Sequence, residues 1–188
     1  MNSAPEYFVI HGSYGHPEEN WLPWLKKELE KNGAKVAIPQ FPTPNGQSFE
    51  EWLPVAEAAL MGGDPGNTVL IGHSIGAIFA MRLAELAARP YKAVSAVSPF
   101  ARDLGLDAFD PMNGSFYRHA FDWPRIRKNA GKILCLAGDD DPYVPLAYAQ
   151  EVADNCGVEL TVVKKGGHLN AKAGYLSFPL LLEQLKRI

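Results

Sequence analysis

The sequence predicts a three-layer α/β fold, a sheet of about six parallel strands with helices on both faces. Three observations carry this. Short aliphatic runs recur at Phe8 to Ile10, Val36 to Ile38, Val69 to Ile71, Val94 to Val97, Ile133 to Leu136 and Leu160 to Val163. The runs are continuous rather than alternating, as in strands covered on both sides. Segments with helical spacing lie between them, so strand and helix alternate, the pattern of parallel strands joined by right-handed crossovers.

The first helix is expected to open near Pro23, turn Trp21, Leu25 and Leu29 inward, and stop at Asn32-Gly33. Ser48-Phe49-Glu50-Glu51 has the Ser-x-x-Glu form of a capping box and starts the second, with Pro54 disturbing its first turns. A third runs from Ser74 or Ile75 to about Ala88, ahead of Arg89-Pro90. The fourth spans Pro145 to Cys156 and ends at Gly157, and the last covers roughly Tyr175 to Lys186. Residues 101–123 break the alternation. They hold Phe109, Phe116, Tyr117 and Phe121 among Gly105, Pro111 and Gly114. That is too long for a tight connection and too aromatic for a plain solvent loop, so the segment reads either as a cap over a site or as a loop with a satellite hydrophobic cluster.

Length and composition bound the function. The 188 residues, 47% hydrophobic and 21% charged, fit one globular domain spanning 1–188. A net charge of −3 and a pI near 5.9 lack the positive field that nucleic acid or anionic lipid would select. Cys135 and Cys156 are far apart in sequence, without metal spacing, and read as reduced thiols. The first ten residues have no basic region, long apolar core or cleavage site, and no apolar run reaches the ~20 residues that span a bilayer. The expectation is a cytoplasmic protein with no membrane span.

The strongest local signal is Thr68 to Ala77, an apolar strand that runs into Gly72-His73-Ser74-Ile75-Gly76 and then into a helix. This G-x-S-x-G has the form of a nucleophile elbow, a sharp turn that holds a serine oxygen above the sheet while glycines on either side avoid the neighbouring backbone. A serine hydroxyl is a weak nucleophile and needs a histidine base, itself oriented by an acid. His168 follows Gly166-Gly167 after the sixth strand, and Asp139-Asp140-Asp141 follows the fifth. One of those three carboxylates is the candidate acid. Parallel strands would bring all these groups to one edge of the sheet. Two backbone donors for an oxyanion complete the requirement. The amide of Ile75, at a helix N-terminus, is one candidate, and the amide of Ser13, in the glycine-rich His11 to Gly15 loop, is the other. His73 reads as packing behind the serine, and His11 as shaping the loop. The tryptophans read as core or cap packing.

These residues together resemble the small serine hydrolases of the α/β-hydrolase superfamily, the group containing the YdeN proteins and retinoblastoma-binding protein nine. The likeness rests on His11-Gly12, the helix Trp24 to Leu29, Pro42-Thr43-Pro44, the Trp52 helix, Gly-His-Ser-Ile-Gly-Ala, Asp-Asp-Pro-Tyr-Val-Pro and Gly-Gly-His, nearly the whole chain. It implies a compact α/β-hydrolase fold without leading antiparallel strands and a Ser-Asp-His triad working with no cofactor and no metal. By motif position the triad is Ser74, Asp141 and His168, the Asp-x-x-Val-Pro pattern selecting Asp141 over its neighbours. No Leu-x-Cys-x-Glu segment is present, so nothing in the sequence points to retinoblastoma protein as a partner.

The expected activity is hydrolysis of a small-molecule carboxylic ester, with thioesters or amides as related substrates, through an acyl-enzyme. The competing readings are an acyltransferase using the same triad and a non-catalytic interaction module on a hydrolase fold.

Overall fold

A computed structural model describes residues 4–188, so the first three of the ten residues weighed as a leader lie outside it. Six strands, β1 (Glu6–Ile10), β2 (Lys35–Ala37), β3 (Thr68–His73), β4 (Ala93–Val97), β5 (Lys132–Gly138) and β6 (Leu160–Val163), form one sheet in the order β2-β1-β3-β4-β5-β6. Every pairing is parallel. The helices are α1 (Leu22–Glu30), α2 (Phe49–Leu60), α3 (Ile75–Leu86), α4 (Asp110–Tyr117), α5 (Trp123–Asn129), α6 (Leu146–Cys156) and α7 (Pro179–Leu185).

Alternate strand residues face opposite sides, and each side is covered. Phe8, Ile10, Leu70, Val94, Ala96 and Cys135 join α2 through α6 in one core. Tyr7, Val9, Val69, Ile71, Val97 and Leu136 join α1 and α7 in the other. This two-sided burial is why the four central strands carry aliphatic runs, while the edge strands β2 and β6 are partly exposed.

The helix ends follow their local chemistry. Ser48 Oγ accepts from Glu51 N at 3.2 Å, and α2 then continues through Pro54 as a full helix. Gly157 closes α6 with φ at +70°. The last helix is shorter than its sequence reading, because the chain passes through Gly174 at φ +89° and Pro179 sets the first turn. No helix among the described residues is long and apolar enough to cross a membrane.

The 101–123 segment differs from its reading as a loop. It contains α4 and leads into α5, and Phe116, Tyr117 and Phe121 pack in the main core while Phe109 stays outside it. Phe116 is fully buried, with its ring 4.9 Å from Trp52 and 5.9 Å from Phe79. Hydrogen bonds fasten the segment from several directions. Asp110 accepts from the amides of Leu104, Gly105 and Leu106 at 2.9, 2.7 and 3.0 Å. Arg82 Nη1 donates to Ser115 O at 3.0 Å, Phe49 N to Ser115 Oγ at 2.9 Å, and Tyr14 Oη to Ala108 O at 2.6 Å.

Candidate active site

The site is assembled at the carboxyl ends of the strands, where β1 and β3 lie side by side and the chain leaves in opposite directions to α1 and α3. Ser74 stands between β3 and α3 with φ at +57° and ψ at −123°, a geometry that costs an L-residue about 1–3 kcal/mol and persists only where the surroundings enforce it. Ser74 N donates to Val97 O at 2.8 Å, and Ala77 N donates to Ser74 O at 3.0 Å, so strand and helix both hold the turn. The flanking glycines are sterically required. A Cβ on Gly72 would be driven into Gly76 O and to 2.5 Å from Ala77 Cα, and one on Gly76 would strike His11 O and reach 2.7 Å from Ile10 O.

The three consecutive aspartates after β5 have separate tasks. Asp139 accepts from Lys164 Nζ at 2.9 Å and Lys165 N at 2.7 Å, and Asp140 accepts from Gly167 N at 2.7 Å. Both tie down the loop that carries His168. Asp141 meets His168 itself: Oδ2 is 2.6 Å from Nδ1, and Oδ1 accepts from the amides of Tyr143 and Val144 at 2.9 and 3.0 Å. The side chain of Asp141 is 1% exposed. A carboxylate oxygen accepts, so Nδ1 of His168 is the donor in this contact.

Behind His168 the loop is clamped through its own carbonyl. His73 Nε2 donates to His168 O at 2.9 Å, Ser98 Oγ donates to the same oxygen at 3.4 Å, and Trp21 Nε1 donates to Leu169 O at 2.9 Å. Burial, reinforced by the neighbouring His168, pushes the pKa of His73 down to about 3, so His73 stays neutral and keeps donating. His73 packs against His168, the two imidazole rings 4.9 Å apart. His11 is also fixed. Its Nδ1 donates to Gly12 O at 2.9 Å and its Nε2 accepts from Phe41 N at 3.0 Å, while burial lowers its pKa.

Ser74, His168 and Ser13 line a single cavity of about 590 Å³. Gly12 lets the β1 loop lie close to Ser74, since a Cβ there would lie 3.3 Å from Ser74 Cβ. The amides of Ser13 and Ile75 have no protein acceptor among the described residues. Phe100, Leu104, Phe109, Tyr143, Val144 and Leu176 supply much of the apolar wall. Sequence reasoning placed the cap aromatics only generally, and it missed Asn113 and Tyr14. The polar stretch Pro111 to Ser115 gives no periodic signal that would have singled out Asn113.

Sheet order, elbow and cavity define an α/β hydrolase. A family model described as serine hydrolase matches residues 7–187. The chain is 28% identical to YdeN of Bacillus subtilis (strain 168) over 183 residues, 96% of this chain and 94% of that protein. It is 35% identical to serine hydrolase RBBP9 of Rattus norvegicus over 171 residues, 89% of each. The crystal structure of the B. subtilis ydeN product matches with a TM-score of 0.89 at 27% identity, covering 98% of both chains. The chain belongs to the serine hydrolase family.

Proposed function

We propose that this hydrolase cleaves carboxylic esters of small molecules, and by the same chemistry thioesters or amides, through an acyl-enzyme on Ser74. The observation that carries the reading is the 2.6 Å contact between His168 Nδ1 and Asp141 Oδ2 in the cavity wall that also holds the strained Ser74. His168 Nε2 takes the proton of Ser74 as Oγ attacks the carbonyl. The amides of Ser13 and Ile75 receive the oxyanion, each such donor being worth about 10² to 10³ in kcat. Asp141 keeps the imidazole in the productive tautomer and stabilises its protonated form. The imidazolium then protonates the leaving group, and the neutral ring activates water for deacylation. The described residues act as one domain, with residues 101–123 forming part of the cavity wall.

A fluorophosphonate probe tests the assignment. The wild-type protein is expected to label and to hydrolyse a short-chain p-nitrophenyl ester, and Ser74→Ala to do neither. Labelling of Ser74→Ala at the wild-type rate refutes the nucleophile. Wild-type protein that neither labels nor turns over ester would return the fold to a binding role.

A further inference from the structure

Four polar side chains in the cavity wall are almost wholly buried: His73, Ser74, His168 and Asn113. The first three are accounted for above. Asn113, in α4, is 1% exposed, and its orientation is fixed by a chain of donors that begins at a backbone amide. Tyr14 N donates to Gln47 Oε1 at 3.0 Å. An amide N–H can only donate, so that atom of Gln47 is its carbonyl oxygen and the other is its NH₂. Gln47 Nε2 then donates to Asn113 Oδ1 at 2.7 Å, and Ser13 Oγ donates to the same oxygen at 2.9 Å.

With both lone pairs of Oδ1 engaged, the polar capacity left on Asn113 is the pair of N–H groups on Nδ2. Among the described residues Nδ2 has no protein acceptor, and it is not one of the side-chain atoms sealed away without a partner. The residue lines the cavity, so these donors face the space a substrate would fill, beside the apolar Phe100, Leu104 and Phe109. A binding site that presents a donor discriminates against a group that leaves it unpaired.

We infer that Asn113 is a specificity determinant that selects acyl groups bearing a hydrogen-bond acceptor, an ether, hydroxyl or carbonyl oxygen a few bonds from the scissile carbonyl, over plain alkyl chains of equal length. This rests on the ester-hydrolase reading above.

The test compares p-nitrophenyl 3-methoxypropanoate with p-nitrophenyl pentanoate, whose acyl chains match in length and differ by one oxygen in place of a methylene. Each kcat/KM is divided by the hydroxide-catalysed rate of the same ester. Wild-type protein is expected to favour the methoxy ester about tenfold, the contribution of one well-made hydrogen bond. Asn113→Asp keeps an acceptor for Ser13 and Gln47 but loses the donor. It is expected to bring the ratio to about one, a loss common to both esters cancelling from that ratio. A wild-type ratio near one overturns the inference without reference to any variant. Equal losses on both esters in Asn113→Asp also overturn it, because they put the amide on the carbonyl oxygen or in the fold rather than on the acyl chain. Fluorophosphonate labelling at Ser74 with a ratio near one refutes the inference alone, whereas absence of both labelling and turnover refutes the ester reading and the inference together.

Discussion

Replacing Asp141 by asparagine separates the orienting role of the carboxylate from its role in the loop. The wild-type side chain has three partners: His168 Nδ1 on one oxygen and the amides of Tyr143 and Val144 on the other. Asparagine can still accept from both amides through Oδ1, so the turn after β5 should survive. Its Nδ2 then faces His168 Nδ1, and two donors cannot share that contact. The imidazole is forced to accept at Nδ1 and carry its proton on Nε2, where it can no longer take one from Ser74. The expected loss in kcat is about 10⁴-fold, or about 5 kcal/mol of barrier. Asp140→Asn is the matched control. Its acceptor contact is with Gly167 N, which an asparagine oxygen preserves, and kcat should change by no more than about threefold. The assay is steady-state hydrolysis of p-nitrophenyl butyrate, with thermal melts to establish folding. A folded Asp141→Asn protein that keeps more than about a tenth of wild-type kcat, or an Asp140→Asn protein that falls as far as it does, refutes the assignment of the acid.

Two further outcomes follow from the packing. Gly76→Ala drives a methyl into the carbonyls of His11 and Ile10 and should destabilise the fold by about 3 kcal/mol or more. Gly33→Ala, at φ +79° with open space around it, should cost only about 1 kcal/mol, and urea midpoints that rank the two the other way contradict the steric account of the elbow. The depressed pKa of His73 predicts acid sensitivity with a definite sign. Above about pH 6.5 the residue is neutral whether folded or unfolded; as pH falls, the unfolded chain gains a proton that the folded one refuses until about pH 3. Stability should therefore decline by about 1.4 kcal/mol per pH unit from this residue across that window, with buried His11 adding to it in the same direction. His73→Gln keeps a donor for His168 O and removes the titration, so its stability against pH between 6 and 4 should be shallower. Parallel curves would refute this.

What could be read in advance followed from how local the signals are. The strands were legible because two-sided burial demands continuous aliphatic runs, and the elbow because glycine is obligatory at both Gly72 and Gly76. With β2 outside β1, β1 and β3 are neighbours, and the His11 to Gly15 loop comes beside the serine. α4 was hidden: Pro111, Asn113, Gly114 and Ser115 are weak helix formers, and the helix is held by tertiary contacts such as Arg82 to Ser115 and Phe116 in its aromatic nest. Composition alone could not divide labour among Asp139, Asp140 and Asp141. Their roles depend on which strand-end groups lie opposite, Lys164 and Lys165, Gly167, or His168. Asn113 was invisible for a related reason, since its meaning arises from partners 66 and 100 residues away.

The fastening of α4 bears on how substrate enters. The wall is bonded to α2, α3 and the Tyr14 loop at once, so raising it would break several hydrogen bonds and draw Phe116 out of the core. We expect a wall fastened in this way to give an oil–water boundary nothing to prise open. Its rate should follow the concentration of dissolved monomeric ester and pass smoothly through the point where the ester forms micelles, as in an esterase of the aqueous phase rather than a lipase of the interface.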